Sequence, residues 1–432
     1  MRSVLTVACA ALLLTTAVFA SDDWPQFRGP TGQGLADGKG VPTSWKEKDA
    51  SSAAENIKWK TDLPGQGWSS PVISGNQIWM TTATDEGKSL RALCVALDTG
   101  KLELDVEVFH IDKPEFKHAL NSFASPTPVL DGIDGRVYVY YGTYGTACLS
   151  TKDGKKIWEN RTLPHTTQNS AGSTPISYKD KLLICMDGMD TQFQVALKKS
   201  DGSIAWKTAR SMPVNKKEDM KKAYGTPLVY QFEGKDQMVA PAAEGFYAYD
   251  PETGKELWRL KHPGFSNVPI AVFAGGMLVM DTGFGKPQLW AFKPVAGGAG
   301  GTGGGDKLDL PPENIVWRIN GQAPCPTQPS PVVIGERLYM LSDSGALTCL
   351  NLKDGAVVWT EKLNGEYSAS PTVIGGNIYI FNRTGKALVI EPGDKFKKLA
   401  ENQLEEGCMA SPAVVGKAMI VRTKTALYRI EK

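Results

Sequence analysis

The segment Ala248-Tyr249-Asp250-Pro251-Glu252-Thr253-Gly254-Lys255-Glu256-Leu257-Trp258 decides the fold of this 432-residue chain. It has the form A-x-D-x-x-T-G-x-x-x-W, which predicts a strand, a turn led by Asp250, and a second strand that carries Trp258. Gly254 supplies the positive φ that a tight hairpin needs, and the Asp side chain can bond the turn backbone. The same interval between a Gly and a Trp recurs at Gly154/Trp158, Gly202/Trp206 and Gly355/Trp359.

A second pattern, Ser-Pro or Thr-Pro followed by apolar residues, opens eight cassettes along the chain. The openings are Ser70-Pro71, Thr127-Pro128, Thr174-Pro175, Thr226-Pro227, Val268-Pro269 (with Val instead of Ser or Thr), Ser330-Pro331, Ser370-Pro371 and Ser411-Pro412. Each cassette codes four antiparallel strands, too few to be stable alone, so neighbouring sheets must stack and bury their faces. Radial stacking predicts an all-β, eight-bladed β-propeller.

The eighth cassette ends at Lys432 without its Trp strand. The missing strand is found near the other end of the chain, because Asn56–Thr61 resembles the Trp strands elsewhere and precedes the first opening. We therefore expect Asn56–Thr61 to pair with Ala426–Ile430 in the last blade. Such pairing closes the ring and removes two exposed sheet edges.

The tandem A-x-D-x-x-T-G-x-x-x-W motif resembles the repeats of the pyrroloquinoline-quinone (PQQ)-like propeller family over residues 56–432. That family includes quinoprotein alcohol and glucose dehydrogenases and also non-enzymatic members such as the BamB-type lipoprotein of outer-membrane assembly. The segment Trp24-Pro25-Gln26-Phe27-Arg28-Gly29-Pro30 is similar to a leader found in secreted bacterial members. The resemblance implies a propeller and leaves open whether the chain is an enzyme.

The first twenty residues indicate export. Arg2 precedes an apolar run from Val4 to Phe19 that ends in the small residue Ala20, a pattern typical of a cleaved signal peptide. An uncleaved anchor and lipidation at Cys9 are the alternatives. We therefore divide the chain into a signal peptide (1–20), a leader with the WPQFRGP motif (21–55) and the propeller (56–432), and expect a periplasmic or secreted protein with no membrane span after cleavage.

The composition limits the possible partners and staples. Lysine and arginine total 48 against 46 acidic residues, so a net charge of +2 gives no footprint for nucleic acid. Six cysteines remain after the signal peptide, and an even number in an exported chain permits disulfides. Cys94, Cys148 and Cys349, however, lie in apolar stretches that predict buried free thiols.

The repeated tryptophans are predicted to be structural, since they recur at one position of the cassette and the family uses that Trp to dock adjacent blades. This set is Trp59, Trp158, Trp206, Trp258, Trp317 and Trp359. The quinone enzymes of the family place an adjacent Cys-Cys disulfide over the cofactor and use a carboxylate base and a calcium held by Glu, Asn and Asp. No Cys-Cys dipeptide occurs in this sequence. We therefore assign no catalytic residue and do not expect PQQ, although binding of PQQ stays possible.

Two further features are interpreted as surface loops. His110, Asp112, Glu115 and His118 could ligate a metal by type, but their segment is charged and contains Pro114, which favours a solvated loop, so no metal site is assigned. The Gly-rich run 297–305 lacks the G-x-x-x-x-G-K-[ST] pattern of a phosphate-binding loop and predicts a flexible connection.

Propeller geometry places any functional site at the mouth of the central channel, where the residues before each opening converge. The candidates are Trp68, Phe123, Asn169, Tyr224, Phe265, Gln328 and Tyr367. Aromatic and amide side chains suit a sugar, a peptide or a small ring, but they could also simply fill the channel. Our first hypothesis is a monomeric, non-catalytic binding or scaffold protein of the cell envelope with a protein or cell-wall partner. A reduced PQQ-dependent oxidoreductase and a glycan-binding module are the alternatives.

Overall fold

A computed structural model describes residues 23–48, 52–296, 308–404 and 407–432. The predicted signal peptide (1–20) and the Gly-rich run (297–305) lie outside these ranges. No helix in the described ranges is long and apolar enough to span a membrane.

The described chain forms eight sheets, each with four antiparallel strands, which confirms the predicted eight-bladed propeller. One of these sheets gains a fifth, parallel strand from the leader. The leader contributes β1 (Leu35–Ala36), and β2 (Ile57–Asp62) follows it. Blade 1 contains β3 (Val72–Ser74), β4 (Gln77–Thr84), β5 (Ser89–Ala96) and β6 (Leu102–His110), and blade 2 contains β7 (Val129–Asp131), β8 (Arg136–Tyr140), β9 (Thr146–Ser150) and β10 (Lys156–Asn160). Blade 3 contains β11 (Ile176–Tyr178), β12 (Lys181–Asp187), β13 (Gln192–Lys198) and β14 (Ile204–Ala209). Blade 4 contains β15 (Leu228–Phe232), β16 (Lys235–Ala242), β17 (Gly245–Tyr249) and β18 (Glu256–Lys261).

The second half of the ring repeats this arrangement and is completed by β2. Blade 5 contains β19 (Val272–Ala274), β20 (Met277–Asp281), β21 (Leu289–Phe292) and β22 (Ile315–Ile319). Blade 6 contains β23 (Val332–Ile334), β24 (Arg337–Leu341), β25 (Ala346–Asn351) and β26 (Val357–Lys362). Blade 7 contains β27 (Thr372–Ile374), β28 (Asn377–Phe381), β29 (Lys386–Glu391) and β30 (Lys397–Gln403). Blade 8 contains β31 (Ala413–Val415), β32 (Ala418–Arg422) and β33 (Ala426–Ile430) with β2 as its outer strand. Four short 3₁₀ helices cover Asp85–Gly87, Gly142–Tyr144, Glu218–Met220 and Pro312–Asn314.

The ring closes as predicted. β2 pairs antiparallel with β33, and Trp59 lies opposite Arg429 in that pairing. The outer strand of blade 8 therefore comes from the N-terminal side of the chain, while its three inner strands come from the C-terminal end. Closure removes the two free sheet edges that an open ring would expose.

The signature hairpin shows why its residues recur. The Asp250 carboxylate accepts hydrogen bonds from the backbone N–H groups of Glu252 and Thr253, and Gly254 has a φ of 72°. A Cβ atom at Gly254 would lie 2.5 Å from the indole of Trp206 in the preceding blade. The glycine is thus needed both for its backbone conformation and because a neighbouring blade packs directly on it.

The repeated indoles lie between blades. Five of the six donate their Nε1–H to a backbone carbonyl of the next blade around the ring, at 2.8–3.1 Å: Trp59 to Leu97, Trp158 to Lys199, Trp206 to Pro251, Trp317 to Leu352 and Trp359 to Gly393. Trp258 instead donates to Gln237 of its own blade and packs edge-on against Phe292 of blade 5. The core accordingly lies between neighbouring sheets, where these rings fill the space.

The six cysteines of the described residues are unpaired and buried. Cys94, Cys148 and Cys349 lie in β5, β9 and β25, as the apolar stretches predicted. Burial raises the pKa of Cys94 to about 12, so this thiol stays protonated and acts as a small apolar group.

The leader packs into the propeller and makes contact with inner strands around the ring. Trp24 exchanges two backbone hydrogen bonds with Ile73 of blade 1, and the carbonyl of Pro25 accepts one from Leu130 of blade 2. Further along the leader, Gln26 bonds Ser177 of blade 3, Phe27 packs on the core between blades 4 and 5, and Gln33 bonds Phe273 of blade 5. Arg28 bonds Pro331 of blade 6, and β1 pairs with β27 of blade 7. Val41 packs in the core that includes Val414 of blade 8. The leader therefore lies across one end of the channel.

Candidate functional site

A cavity of about 610 Å³ lies in the channel at the end opposite the leader. We call it the cup. Its wall is formed by the loops that precede the inner strands, and five of the seven predicted channel-mouth residues line it: Trp68, Asn169, Tyr224, Phe265 and Gln328. The volume is in the range of small-molecule sites.

The other two candidates lie elsewhere. Phe123 lines a separate cavity of about 500 Å³, where its ring packs on Gly87. Tyr367 is 4% exposed, packs in the core between blades 6 and 7, and donates its hydroxyl to the Asn364 carbonyl. The placement of Tyr367 at the channel mouth is therefore wrong, and Ser368 lines the cup in its place.

Hydrogen bonds fix the loops on one side of the cup. The Asn121 amide donates to the carbonyls of Asn169 and Ala171, the Asn169 amide donates to the Tyr224 hydroxyl at 2.8 Å, and that hydroxyl donates to the Thr167 carbonyl. Burial raises the pKa of Tyr224, so the phenol remains a hydrogen-bond donor. The network holds the wall in one arrangement before any ligand arrives.

Three non-glycine residues in these loops have left-handed backbone conformations. The φ values of Gln168, Ser170 and Ser266 are 63°, 69° and 51°, and Gln168 and Ser266 line the cup. Such conformations cost about 1–3 kcal/mol each and cluster at functional sites, because the surrounding structure must impose them. They are three of the ten non-glycine residues with positive φ in the described chain, and all three belong to the loops at this end of the channel.

A ring of seven hydroxyls surrounds the bottom of the cup and explains the repeated openings. Each hydroxyl oxygen accepts a backbone N–H from an adjacent blade at 2.9–3.1 Å, which links the blades around the axis. We call these residues the hydroxyl ring: Ser70, Thr127, Thr174, Thr226, Ser330, Ser370 and Ser411.

The fifth opening is out of register with the others. In seven blades the ring residue lies two positions before the inner strand, but in blade 5 that position is Ile270, not Val268. The Ile270 N–H donates to Ser330, as the ring residues of other blades do to their neighbours. Our alignment of blade 5 on Val268-Pro269 was therefore wrong by two residues, and the ring has its gap at Ile270.

The leader supplies the floor of the cup. Phe27 lines the cavity, and the buried Arg28 donates to the carbonyls of Gly32, Gln33, Pro331 and Pro371. Burial lowers the pKa of Arg28 to about 9, so the guanidinium is charged at neutral pH. Among the described residues its hydrogen-bond partners are carbonyls, not carboxylates.

The acidic and metal-binding groups of the cup are few. Asp219 is the one carboxylate among the described lining residues, and it pairs with Lys222 at 2.6 Å. No group of three or more His, Cys, Asp or Glu side chains in the described ranges is placed to hold a metal. Calcium takes six to eight oxygen ligands, and Asp219 is the one carboxylate that the described lining offers for such a set.

Sequence reasoning missed His118, Asn121 and Phe284 as parts of the cup. His118 is in the exposed loop assigned to solvent, and that loop also lines the cavity. Phe284 comes from the connection between the second and third strands of blade 5, where no repeat pattern marks it. For Asn121 the one available signal in the sequence is its position six residues before the opening at Thr127.

Eight four-stranded blades, docked by tryptophans and ringed by Ser/Thr hydroxyls, define a β-propeller of the PQQ-like repeat class. More particularly, the chain belongs to the family described as "Outer membrane protein assembly factor BamB", whose model matches residues 94–245 and 306–427.

One characterised relative is similar in sequence over part of its length. An outer membrane protein assembly factor BamB from Legionella pneumophila is 26% identical over 121 residues. The match spans 28% of this chain and 30% of the relative.

Solved structures share the fold. BamB from Moraxella catarrhalis superimposes with a TM-score of 0.59 at 11% identity, covering 86% of this chain and 99% of that one. Quinohemoprotein alcohol dehydrogenase from Comamonas testosteroni gives a TM-score of 0.60 at 12% identity, covering 94% of this chain and 80% of that one. At such identities the likeness shows the propeller alone, and it extends equally to BamB and to an alcohol dehydrogenase.

Proposed function

We propose that this protein is an exported, non-catalytic binding protein of the bacterial cell envelope, and that its cup is the site of binding. The observation that carries the proposal is the strained and hydrogen-bonded wall of the cup. Left-handed residues such as Gln168 and the hydrogen bonds of Tyr224 hold this wall in one arrangement, and a wall fixed in advance favours ligand binding over simple filling of the channel. Membership of the BamB family supports a protein or cell-wall partner and a place in the envelope.

The experiment that tests the site is photo-crosslinking in bacterial cells. A photoreactive phenylalanine analogue is placed at Phe284, a cup residue that is 39% exposed, or at Ile133, which is 99% exposed in a turn at the leader end of the channel. We expect a discrete adduct from position 284 and none from position 133. Equal adducts from both positions would contradict the assignment of the cup.

The non-catalytic part of the proposal has a separate test. The purified protein is titrated with PQQ and calcium, followed by absorbance and by dye-linked oxidation of a panel of alcohols and sugars. We expect neither stoichiometric binding nor turnover, since Asp219 is held by Lys222 and no adjacent Cys pair exists in the sequence. Calcium-dependent turnover would instead establish the oxidoreductase alternative.

A further inference from the structure

We propose that the bottom of the cup binds an anionic group, a carboxylate or a phosphate of a small ligand, on the hydroxyl ring. The proposal rests on the proposed function, because it assumes that the cup is a binding site, and it adds the chemical class of the ligand.

The hydroxyl ring is a set of hydrogen-bond donors that point to no protein acceptor. Each oxygen of the ring already accepts a backbone N–H, as between Ser370 and Ser411, so its own hydrogen remains to be donated. In the described chain none of the seven hydroxyls donates to a protein group. They line the cavity while being at least 96% buried, so a ligand or water in the cup must receive these hydrogens.

Other polar groups of the wall also offer hydrogens. The Leu120 N–H donates to Nδ1 of His118, which leaves Nε2 as the nitrogen of this ring that can donate. The Gln328 carbonyl oxygen accepts from the Ser368 hydroxyl, so the amide NH₂ is left for the cavity. Asp219, the one carboxylate of the described lining, is already paired with Lys222.

A buried positive charge near the hydroxyl ring also favours an anion. Arg28 contacts the carbonyls of Pro331 and Pro371, the residues that directly follow Ser330 and Ser370 of the ring. Its charge therefore lies one residue below the hydroxyls, buried and facing carbonyls. In an interior of low dielectric such a charge favours an anion much more than it would in water.

Apolar side chains in the wall of the cup indicate the chemistry of the part of the ligand that does not contact the hydroxyl ring. Trp68, Phe265 and Phe284 line the cup higher in the wall. A ligand with its acid end on the ring and an apolar ring beside these side chains would use both parts of the site. This combination indicates a small acid with an aromatic or aliphatic body.

The test compares three probes of one shape by calorimetric titration of the full mature protein. Phenyl phosphate and phenylacetate carry the two anionic groups, and phenylacetamide is neutral. We expect at least one of the acids to bind one to one and about tenfold or more tighter than the amide, since hydrogen bonds to charged groups are the stronger ones. The acid that binds identifies whether a phosphate or a carboxylate is the source of the charge.

Matched variants locate the binding on the ring. Ser370→Ala removes a hydroxyl beside Arg28 and should weaken acid binding about tenfold, with folding checked by circular dichroism. Ile270→Thr places a hydroxyl in the gap of the ring, while Ile270→Val has the same shape without it. We expect Ile270→Thr to bind the acid tighter than Ile270→Val, so the comparison does not depend on how either variant changes stability.

Three results would overturn the proposal: no binding of either acid at millimolar concentration, equal affinity for the acids and the amide, or unchanged affinity in folded Ser370→Ala. Any of these with an intact crosslink at Phe284 would leave the binding role of the cup standing. Loss of the crosslink with acid binding retained would instead remove the envelope partner and keep the anion site.

Discussion

Replacing Gly254 by Ala should show how strongly one blade depends on the turn of the next. Two costs arise. Alanine at a φ of 72° costs about 1–2 kcal/mol because its Cβ approaches the following carbonyl. The new Cβ would also lie 2.5 Å from the Trp206 indole, which must move and lose its hydrogen bond to the Pro251 carbonyl. Displacing such a ring approaches the cost of a large core truncation, so we expect a total loss of about 3–5 kcal/mol.

A matched control separates the two costs. Gly234 lies in another turn of the same blade with a φ of 74°, and nothing lies within 4 Å of the position of its Cβ. Gly234→Ala should therefore lose only the backbone cost, about 1–2 kcal/mol. The free energies of unfolding are measured by urea titration, and the two variants should differ by about 2–4 kcal/mol.

A double-mutant cycle assigns the difference to the indole. With Trp206→Ala in the background, the cost of Gly254→Ala should fall close to that of Gly234→Ala, because the ring is absent, although Thr208 Oγ1, at 2.9 Å, still lies close to the new Cβ. Equal losses for Gly254→Ala and Gly234→Ala in the parent protein would refute the direct packing of one blade on the glycine of the next.

Three more predictions concern closure, the core and pH. Deleting β2 should lower the melting temperature sharply, since β33 loses its partner strand; a variant that melts within a degree or two of the parent would argue against closure. Trp258→Ala and Tyr367→Ala should both cost about 3–5 kcal/mol in denaturant titrations, because both rings are buried, and a small loss at Tyr367 would restore its place at the water-filled mouth. Burial raises the pKa of Asp187 to about 6, although Arg210 is 3.4 Å away, so the folded protein keeps a proton there that the unfolded chain releases near pH 4. Stability should therefore fall by up to about 3 kcal/mol as the pH rises from 4 to 6, and Asp187→Asn should flatten that slope; an unchanged slope would exclude Asp187 as its source.

The parts of the fold that repeat could be predicted from the sequence. The spacing from Gly254 to Trp258 is local, and so is the choice of turn, which is why the blades were found and why the incomplete eighth cassette pointed to β2. The error in blade 5 has the same origin. The sequence pattern was aligned on Pro269, whereas the N–H that bonds the next blade belongs to Ile270.

The cup was less accessible to prediction because its residues do not repeat. The ring of Tyr367 turns into the core through its contact with Gly345, a matter of packing that no spacing encodes. The Ser/Thr openings were recognised, but the bond from Ser70 to Thr127 joins different blades and cannot be read from either one. The buried Arg28 was part of a known motif whose partners, such as Pro371, lie far along the chain.

The position of Arg28 also has a consequence for the stage of synthesis at which the propeller can fold. Its side chain bonds the carbonyl of a residue 343 positions further on, and β2 must wait equally for β33. While the polypeptide leaves the ribosome, β2 can contact the first blade but has no strand to pair with until β33 exists. Folding that depends on such distant contacts is slow. The ring therefore stays open until β33 has been made and can pair with β2.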